Sequence, residues 1–491
     1  MSTTKIKLPP MRELRFGNLD ASQEAADDPD LLRQGFYDYR QAAYGISAGE
    51  VWLLLGPKGA GKSAVLEHLR LEWRDRCDRF FTYWDLRAFP VTDVAKIQKD
   101  LSPGNSRAQA SWEFLLLIRL IESLARDASI GSTDGTFGAP RAFRELQKAL
   151  GSSGLTDGDW RTRVAEWSKM SATFKLPLVE MGFEATNNPV TMLRAGDILK
   201  RIISTVRADN RHIIALDGLD GFFFEVEDEW SSLAGLMGAL ESLNRFLRTL
   251  HFPASIVAAV RSDVFDVLDD PETNKLKPRS IHLDWSALGI GVGNHLWELL
   301  SEKVRVARPE VVNVASQYLH GPIGYGYNSV AEYLLDRTRM LPRDVVALMG
   351  FVQREHRGSS AVQAEAARNA AMQYAKEYFI GEIFNNLAGI LGDEDSRKMA
   401  AFRDAIRTVP TRTFTFDDVQ SELAGELEPH MTKRLIKQMF EVGGVGIVNS
   451  SGSGEAYTNF TFRNVTGAGF STRYKFVLHN SLTMAWNRPW R

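Results

Sequence analysis

VWLLLGPKGAGKSAVLEHL, residues 51–69, is the stretch whose reading decides how this chain folds. Its first five residues are apolar and predict a strand buried on both faces. The loop 56–63 follows at once: Gly56, Pro57, Lys58, Gly59, Ala60, Gly61, Lys62 and Ser63 fit the phosphate-binding pattern G-x-x-x-x-G-K-[ST]. From Ala64 on, apolar residues recur at helical spacing. Each residue type in the loop has a chemical reason. Glycines let the backbone wrap a polyanion without a Cβ in the way. The wrapped N–H groups and the helix N-terminus supply partial positive charge. Lys62 is placed to reach β and γ phosphates, and Ser63 to ligate Mg²⁺. The plainer alternative is a glycine-rich turn between a strand and a helix; the strand–loop–helix setting favours phosphate binding.

Working outward, residues 80–85 (Phe-Phe-Thr-Tyr-Trp-Asp) predict a second strand, and residues 86–200 a long, largely helical insertion. Within it, residues 112–125 read as an apolar helix, 175–184 as a small hairpin or extended arm, and 191–206 as an amphipathic helix. Arg-His-Ile-Ile-Ala-Leu-Asp at 211–217 is an apolar strand ending in a carboxylate, about 155 residues after Lys62. In combination with the loop it is the Walker B element, with Asp217 holding Mg²⁺ through water. Asp220 is either the residue that orients the attacking water or an N-cap. Residues 254–260 form another buried strand, and Arg261 at its tip is a candidate γ-phosphate sensor; termination of the strand by a charged pair is the alternative. Residues 280–285 predict the last strand, preceded by Arg279.

Strands alternating with helices imply a parallel sheet covered on both faces, with ligand at the carboxyl ends of the strands. Upstream, Asp27-Asp28-Pro29-Asp30 caps a short helical pattern through Leu31, Leu32, Phe36 and Tyr37. Packing of this leader beside the nucleotide and ordinary core packing are both open. The predicted organisation is a core over 1–292, a helical lid over 293–400 and a winged-helix-like domain over 401–491. In the C-terminal domain a pair of helical patterns precedes a pair of alternating strands around a glycine-containing loop. It carries 11 Lys/Arg against 8 Asp/Glu. Lys433, Arg434 and Lys437 fall within about one turn of its second helix, where they either meet DNA phosphates or form a solvated face.

Of 491 residues, 44% are hydrophobic and 24% charged, the composition of a globular protein rather than a disordered one. The net charge of −2 sets up no global field for nucleic acid, so local patches would have to carry such binding. Cys77 is the only cysteine, which excludes an internal disulfide and a multi-cysteine zinc site and suits a reducing cytoplasm. The nine histidines form no H-E-x-x-H pattern, so Mg²⁺ carried by the nucleotide is the one metal expected. No run approaches the ~18 apolar residues of a membrane helix, and the first residues lack a signal-peptide core. The expectation is a cytoplasmic protein with no membrane partner.

On these residues the chain resembles the ASCE division of P-loop NTPases. More narrowly it resembles the AAA+/STAND neighbourhood and prokaryotic ATPases similar to origin-recognition initiators. The resemblance rests on the loop 56–63, on Leu216-Asp217-Gly218-Leu219-Asp220, on Arg261, and on Leu341-Pro342-Arg343-Asp344 ahead of a winged-helix-like end. It implies an α/β fold with a P-loop NTPase parallel sheet, helical lid and winged-helix-like domain, binding ATP and Mg²⁺. It also implies a sensor-2 role for Arg343 and an intersubunit finger role for Arg279, hence a homo-oligomer. One departure stands out: AAA+ ATPases usually follow the Walker B Asp with an acidic residue, and this chain has Gly218. STAND-type proteins tolerate that pattern. Two uses of the nucleotide therefore stay open: an ATPase acting on duplex DNA, and a slow signalling switch, in defence or stress, whose winged domain contacts its own core or an effector protein.

Overall fold

The computed structural model describes residues 7–87, 89–96, 105–152, 162, 164, 192–219, 227–266, 268, 271–387, 396–450, 456–462 and 469–488. The readings made at Asp220, at the arm 175–184, and at most of the turn 450–454 and the loop 463–473 lie outside them. The described residues divide into two compact units. One holds Arg40–Lys58 and Lys62–Leu283; the other holds the residues up to Tyr39, the loop tip Gly59–Gly61, and the residues from Asp284 on.

The first unit is an α/β layer structure around a five-stranded sheet. Its strands are β1 (Leu53–Leu55), β2 (Arg79–Asp85), β5 (Arg211–Asp217), β6 (Ala254–Val260) and β7 (Ser280–His282), while β3 (Gly131–Ser132) and β4 (Val206–Arg207) pair apart as a short antiparallel ribbon. The order is β2-β5-β6-β1-β7 and every pairing is parallel. Leu53, Leu54 and Leu55 are fully buried, each contributing about 2 kcal/mol through lost apolar surface. All seven residues of β6 are buried as well, as a strand covered on both faces requires. The predicted strand 280–285 is shorter than expected, ending at His282.

The helices Asn105–Ala125 and Glu227–Thr249 share this sheet's core, Trp112 Nε1 donating to Ser232 O at 2.9 Å. The stretch 86–200 is thus not wholly an appendage, because its helices 105–125 and 192–204 bury Leu115, Ile118, Leu199 and Ile202 in that core. Pairing with β1 begins only at Ala258, and Asn244 meets the backbone of Ile256 instead. Its Oδ1 accepts from the Ile256 N–H at 2.8 Å and its Nδ2 donates to the Ile256 carbonyl at 2.9 Å. An otherwise orphaned pair of backbone groups is thereby satisfied.

A buried polar cluster closes the same core. His212 lies between Ser123 (Oγ to Nδ1, 3.0 Å) and Asp127 (Oδ2 to Nε2, 3.2 Å), with its ring stacked on Phe80. With Asp127 ionised, Nε2 carries the proton and Nδ1 accepts from the Ser123 hydroxyl. Burial pushes the His212 pKa down to about 4, against the pull of Asp127. Between pH 6.5 and 4 the unfolded chain therefore binds a proton that the folded chain refuses, so stability falls as pH falls through that window. The expected loss is on the order of 3 kcal/mol. Denaturant unfolding at pH 7 and pH 4.5 should show a shallower pH dependence in His212→Asn than in the parent; parallel slopes would refute the assignment.

In the second unit the leader packs on helices. Tyr318 donates to Pro9 O at 2.7 Å, Gln353 Nε2 to the carbonyls of Met11 and Leu14 at 2.8 Å, and Lys303 forms a buried ion pair with Glu24. Within the predicted capping run at 27–30, Asp28 is the residue that caps the helix Pro29–Gln34, its side chain accepting from the Leu31 N–H. Further on, Leu341 is extended ahead of Pro342, which opens the helix Pro342–Glu355. Arg339 lies buried against Asp344 in this helix's first turn, with donor distances of 2.6–3.0 Å. Burial works against the Arg339 charge, yet the Asp344 carboxylate keeps its pKa above the ordinary value.

The chain ends in the helices Ser396–Thr408, Phe416–Glu422 and Pro429–Glu441 and an antiparallel sheet. Its strands are β8 (Thr413–Phe414), β9 (Val445–Ser450), β10 (Ala456–Asn459) and β11 (Phe476–Leu478), in the order β10-β9-β11-β8. The helix Ser396–Thr408 and strand β8 are additions to the predicted pattern. The segment after β11 docks on the residues before Arg339: Ser481 Oγ donates to Arg337 O at 2.6 Å, His479 Nε2 lies 3.2 Å from Thr338 O, and Asn480 bonds Asp336.

Candidate functional site

The loop 56–63 leaves the carboxyl end of β1 and enters the helix Lys62–Trp73. Gly59 (φ +89°) and Gly61 (φ +96°) occupy the left-handed region, which side-chain-bearing residues avoid. A Cβ on Gly59 would stand 3.3 Å from the Arg343 Cβ, a tight contact that adds to the preference for glycine there. Lys62 is buried, and its ammonium donates to the carbonyls of Gly56 (3.0 Å) and Pro57 (3.2 Å). The loop thus curls around its own lysine, while Ser63 is half-buried. Tip residue Ala60 accepts from Trp285 Nε1 at 2.9 Å, and Tyr39 of the leader stacks on Trp285 at 4.1 Å. The leader's aromatics therefore reach the loop tip through Trp285.

Beside β1, the tip of β6 carries Arg261, and the neighbouring Ser262 N–H points to Gly56 O at 3.4 Å. The Arg261 guanidinium is buried and forks onto Asp263 at 3.0 and 2.5 Å. One strand further, buried Asp217 ends β5. Its Oδ1 accepts from the Gly218 N–H at 2.8 Å, and its Oδ2 from the Tyr83 hydroxyl at 2.7 Å. Burial first, and then the Asp217 charge, raise the Tyr83 pKa far above its ordinary value, so the phenol stays a donor.

Gly218 has φ +84°, and a Cβ there would meet Arg87 Cγ at 2.6 Å, Arg87 N at 2.7 Å and Asp85 Oδ1 at 2.7 Å. The end of β2 thus fills the space a side chain at 218 would need.

Arg343 brings its N–H to Gly59 O at 3.4 Å, and its guanidinium donates to Leu19 O at 3.1 Å. Arg279 is not brought to the loop. It precedes β7, whose Ser280 is level with Leu53, so it lies at the amino ends of the strands. There it stacks over Trp52 with its guanidinium 5.3 Å from the ring, and its carbonyl accepts from Trp52 N. Tyr83, Asp85, Arg87 and Trp285 were missed as site residues. The alternation Tyr83–Trp84–Asp85 on a strand beside the Walker B strand was the available signal for two of them; nothing local marks Trp285.

The residues fit a nucleotide carrying Mg²⁺. Two left-handed glycines shape the cradle, a buried cation lies inside it, and a hydroxyl (Ser63) and an anchored carboxylate (Asp217) are the hard oxygen donors that Mg²⁺ takes. Among the described residues no group of three or more His, Cys, Asp and Glu forms a separate metal site, and no helix is long and apolar enough to cross a membrane.

No family model and no curated protein matches the chain. Among solved structures it is similar to Cdc6p from Pyrobaculum aerophilum, at 11% identity and a TM-score of 0.33, over 94% of this chain and 98% of that one. A likeness at that TM-score supports no inference about what this chain does.

Proposed function

We propose that this chain is a Mg²⁺-dependent P-loop ATPase of the AAA+/STAND neighbourhood, whose nucleotide state is coupled to duplex DNA through its C-terminal domain. The observation that carries this is the loop itself: left-handed Gly59 and Gly61 wrapping Lys62 at the carboxyl end of a buried central strand. Backbone N–H groups from Gly56 to Ala64, all but that of Pro57, which has none, cradle the phosphates, and Lys62 exchanges its two carbonyl partners for phosphate oxygens. Ser63 and Asp217 would hold Mg²⁺, which when bound offsets charge on the β and γ oxygens. Arg261 and Arg343 are the candidate γ-phosphate sensors; each must first leave its present partner, Asp263 or Leu19 O. Asp220 keeps its candidacy as the residue that orients water. Arg279, at the far end of the strands from its own loop, acts on a γ-phosphate only if a second copy supplies one. ATP is the expected base form, since the sequence carries no N-K-x-D guanine signature.

The DNA reading is supported by the helix Pro429–Glu441. It buries Leu435, Ile436 and Met439 and leaves Lys433, Arg434 and Lys437 exposed on the other side, with Lys437 paired to Glu441 at 3.4 Å. We read residues 401–491, with the helices Phe416–Glu422 and Pro429–Glu441 and the antiparallel sheet, as the winged-helix-like domain and the helix Pro429–Glu441 as its DNA face. Binding should weaken with salt, and replacing the three cations together should flatten the log–log slope by about 0.9 per lost phosphate contact. An unchanged slope in the triple variant would move the contact elsewhere.

A second reading, the STAND-like switch, is favoured by the buried bonds from His479, Asn480 and Ser481 to residues 336–338, which tie the C-terminal domain to its own chain. Phosphate release measured with and without duplex DNA separates the two. Stimulation supports the first; indifference to DNA, with ATP-dependent assembly, supports the second.

A further inference from the structure

Gly218 leaves the proposed ATPase without a carboxylate directly after Asp217. The sheet supplies one from the neighbouring strand. β2 and β5 run parallel with Asp85 as the Cα partner of Asp217, about 4.8 Å apart across the ladder. Tyr83 and Asp85, two residues apart, face the same side of β2, and Tyr83 reaches Asp217. Asp85 therefore projects on the face where Asp217 is held, at the carboxyl tip of the sheet, and its side chain is 39% exposed. Arg87 grips it: Nε lies 3.0 and 2.9 Å from the two carboxylate oxygens, Nη2 2.7 Å from Oδ2, and the Arg87 N–H 2.9 Å from Oδ1. The same Arg87 and Asp85 atoms occupy the space a side chain at 218 would take.

We infer that Asp85 is the general base for the attacking water and that Arg87 restrains it. The inference rests on the ATPase reading above. When the guanidinium turns away, an Asp85 oxygen accepts a proton from the water. The water oxygen bonds to the γ-phosphorus, and the bond from that phosphorus to the bridging oxygen breaks. The electron pair stays on that oxygen, giving ADP and inorganic phosphate, and the proton passes from Asp85 to solvent. While Arg87 holds both oxygens, its N–H groups occupy them and they are not open to the water. Slow turnover of the resting chain is the consequence.

The test uses the full chain with Mg²⁺·ATP, reading ATP affinity by titration and phosphate release over pH 5–9. The parent must release phosphate; if it binds ATP and releases none, the ATPase reading fails, independently of Asp85. Asp85→Asn keeps the side-chain shape and should retain ATP affinity within about twofold while losing on the order of 10²–10⁴ in phosphate release, together with the acid limb of the pH profile. Arg87→Gln should raise phosphate release several-fold at unchanged ATP affinity, because the N–H groups that occupy both Asp85 oxygens are gone. Phosphate release in Asp85→Asn within threefold of the parent overturns the base assignment. Release in Arg87→Gln that is unchanged, or lowered as in Asp85→Asn, overturns the restraint, the lowered case being the mark of a purely structural pair.

Discussion

Lys62→Ala should abolish ATP turnover and weaken ATP binding in a protein that still folds. The ammonium is buried inside its own loop, within 3.2 Å of two carbonyls that it would release on meeting phosphate. A fixed charge in a site with little water is worth much more than the same charge in solution, so losing it should cost on the order of 10²–10³ in turnover or more. The fold should survive, because Leu53, Leu54 and Leu55 under the loop do not depend on the lysine. Titration with ATP, phosphate release and a melting curve on the same preparation check this. A folded Lys62→Ala protein with parental turnover would refute the site.

Asp217→Asn separates metal chemistry from architecture. Asn is close to isosteric, its Oδ1 still accepts from the Gly218 N–H, and its Nδ2 can donate to Tyr83, whose hydroxyl reverses its role. The carboxyl tip of β5 should therefore keep its shape while its charge is lost. If Asp217 holds Mg²⁺, some nucleotide affinity should persist and Mg²⁺-dependent turnover should drop by on the order of 10²–10³. Full Mg²⁺-dependent activity in this variant would show that the metal is held elsewhere.

Much of this was legible in the sequence because a parallel sheet writes itself as apolar runs. Residues 53–55, 211–217 and 254–260 read as strands for the same reason that they are buried on both faces. The loop was legible because left-handed turns leave glycine as the residue of choice at 59 and 61. What escaped was whatever depends on lateral placement. Asp85 becomes a partner of Asp217 only through strand order and register, which no local pattern states. Gly218 looked like a missing acid until the space beside it was seen to be filled by Arg87 and Asp85. Arg279 and Arg343 were grouped by motif order, yet one lies at the amino ends of the strands and the other at the loop tip. The helix Ser396–Thr408 and the two-residue strand β8 escaped because one is largely polar and the other too short to show a period.

The central claim, that this loop binds ATP with Mg²⁺ for hydrolysis, is tested most directly by phosphate release from the full chain with ATP, with Mg²⁺ present and then chelated. Saturable release that stops on chelation and is absent in Lys62→Ala is the expected result. Release that continues at the parental rate after chelation, or no ATP binding by the folded chain, would contradict it.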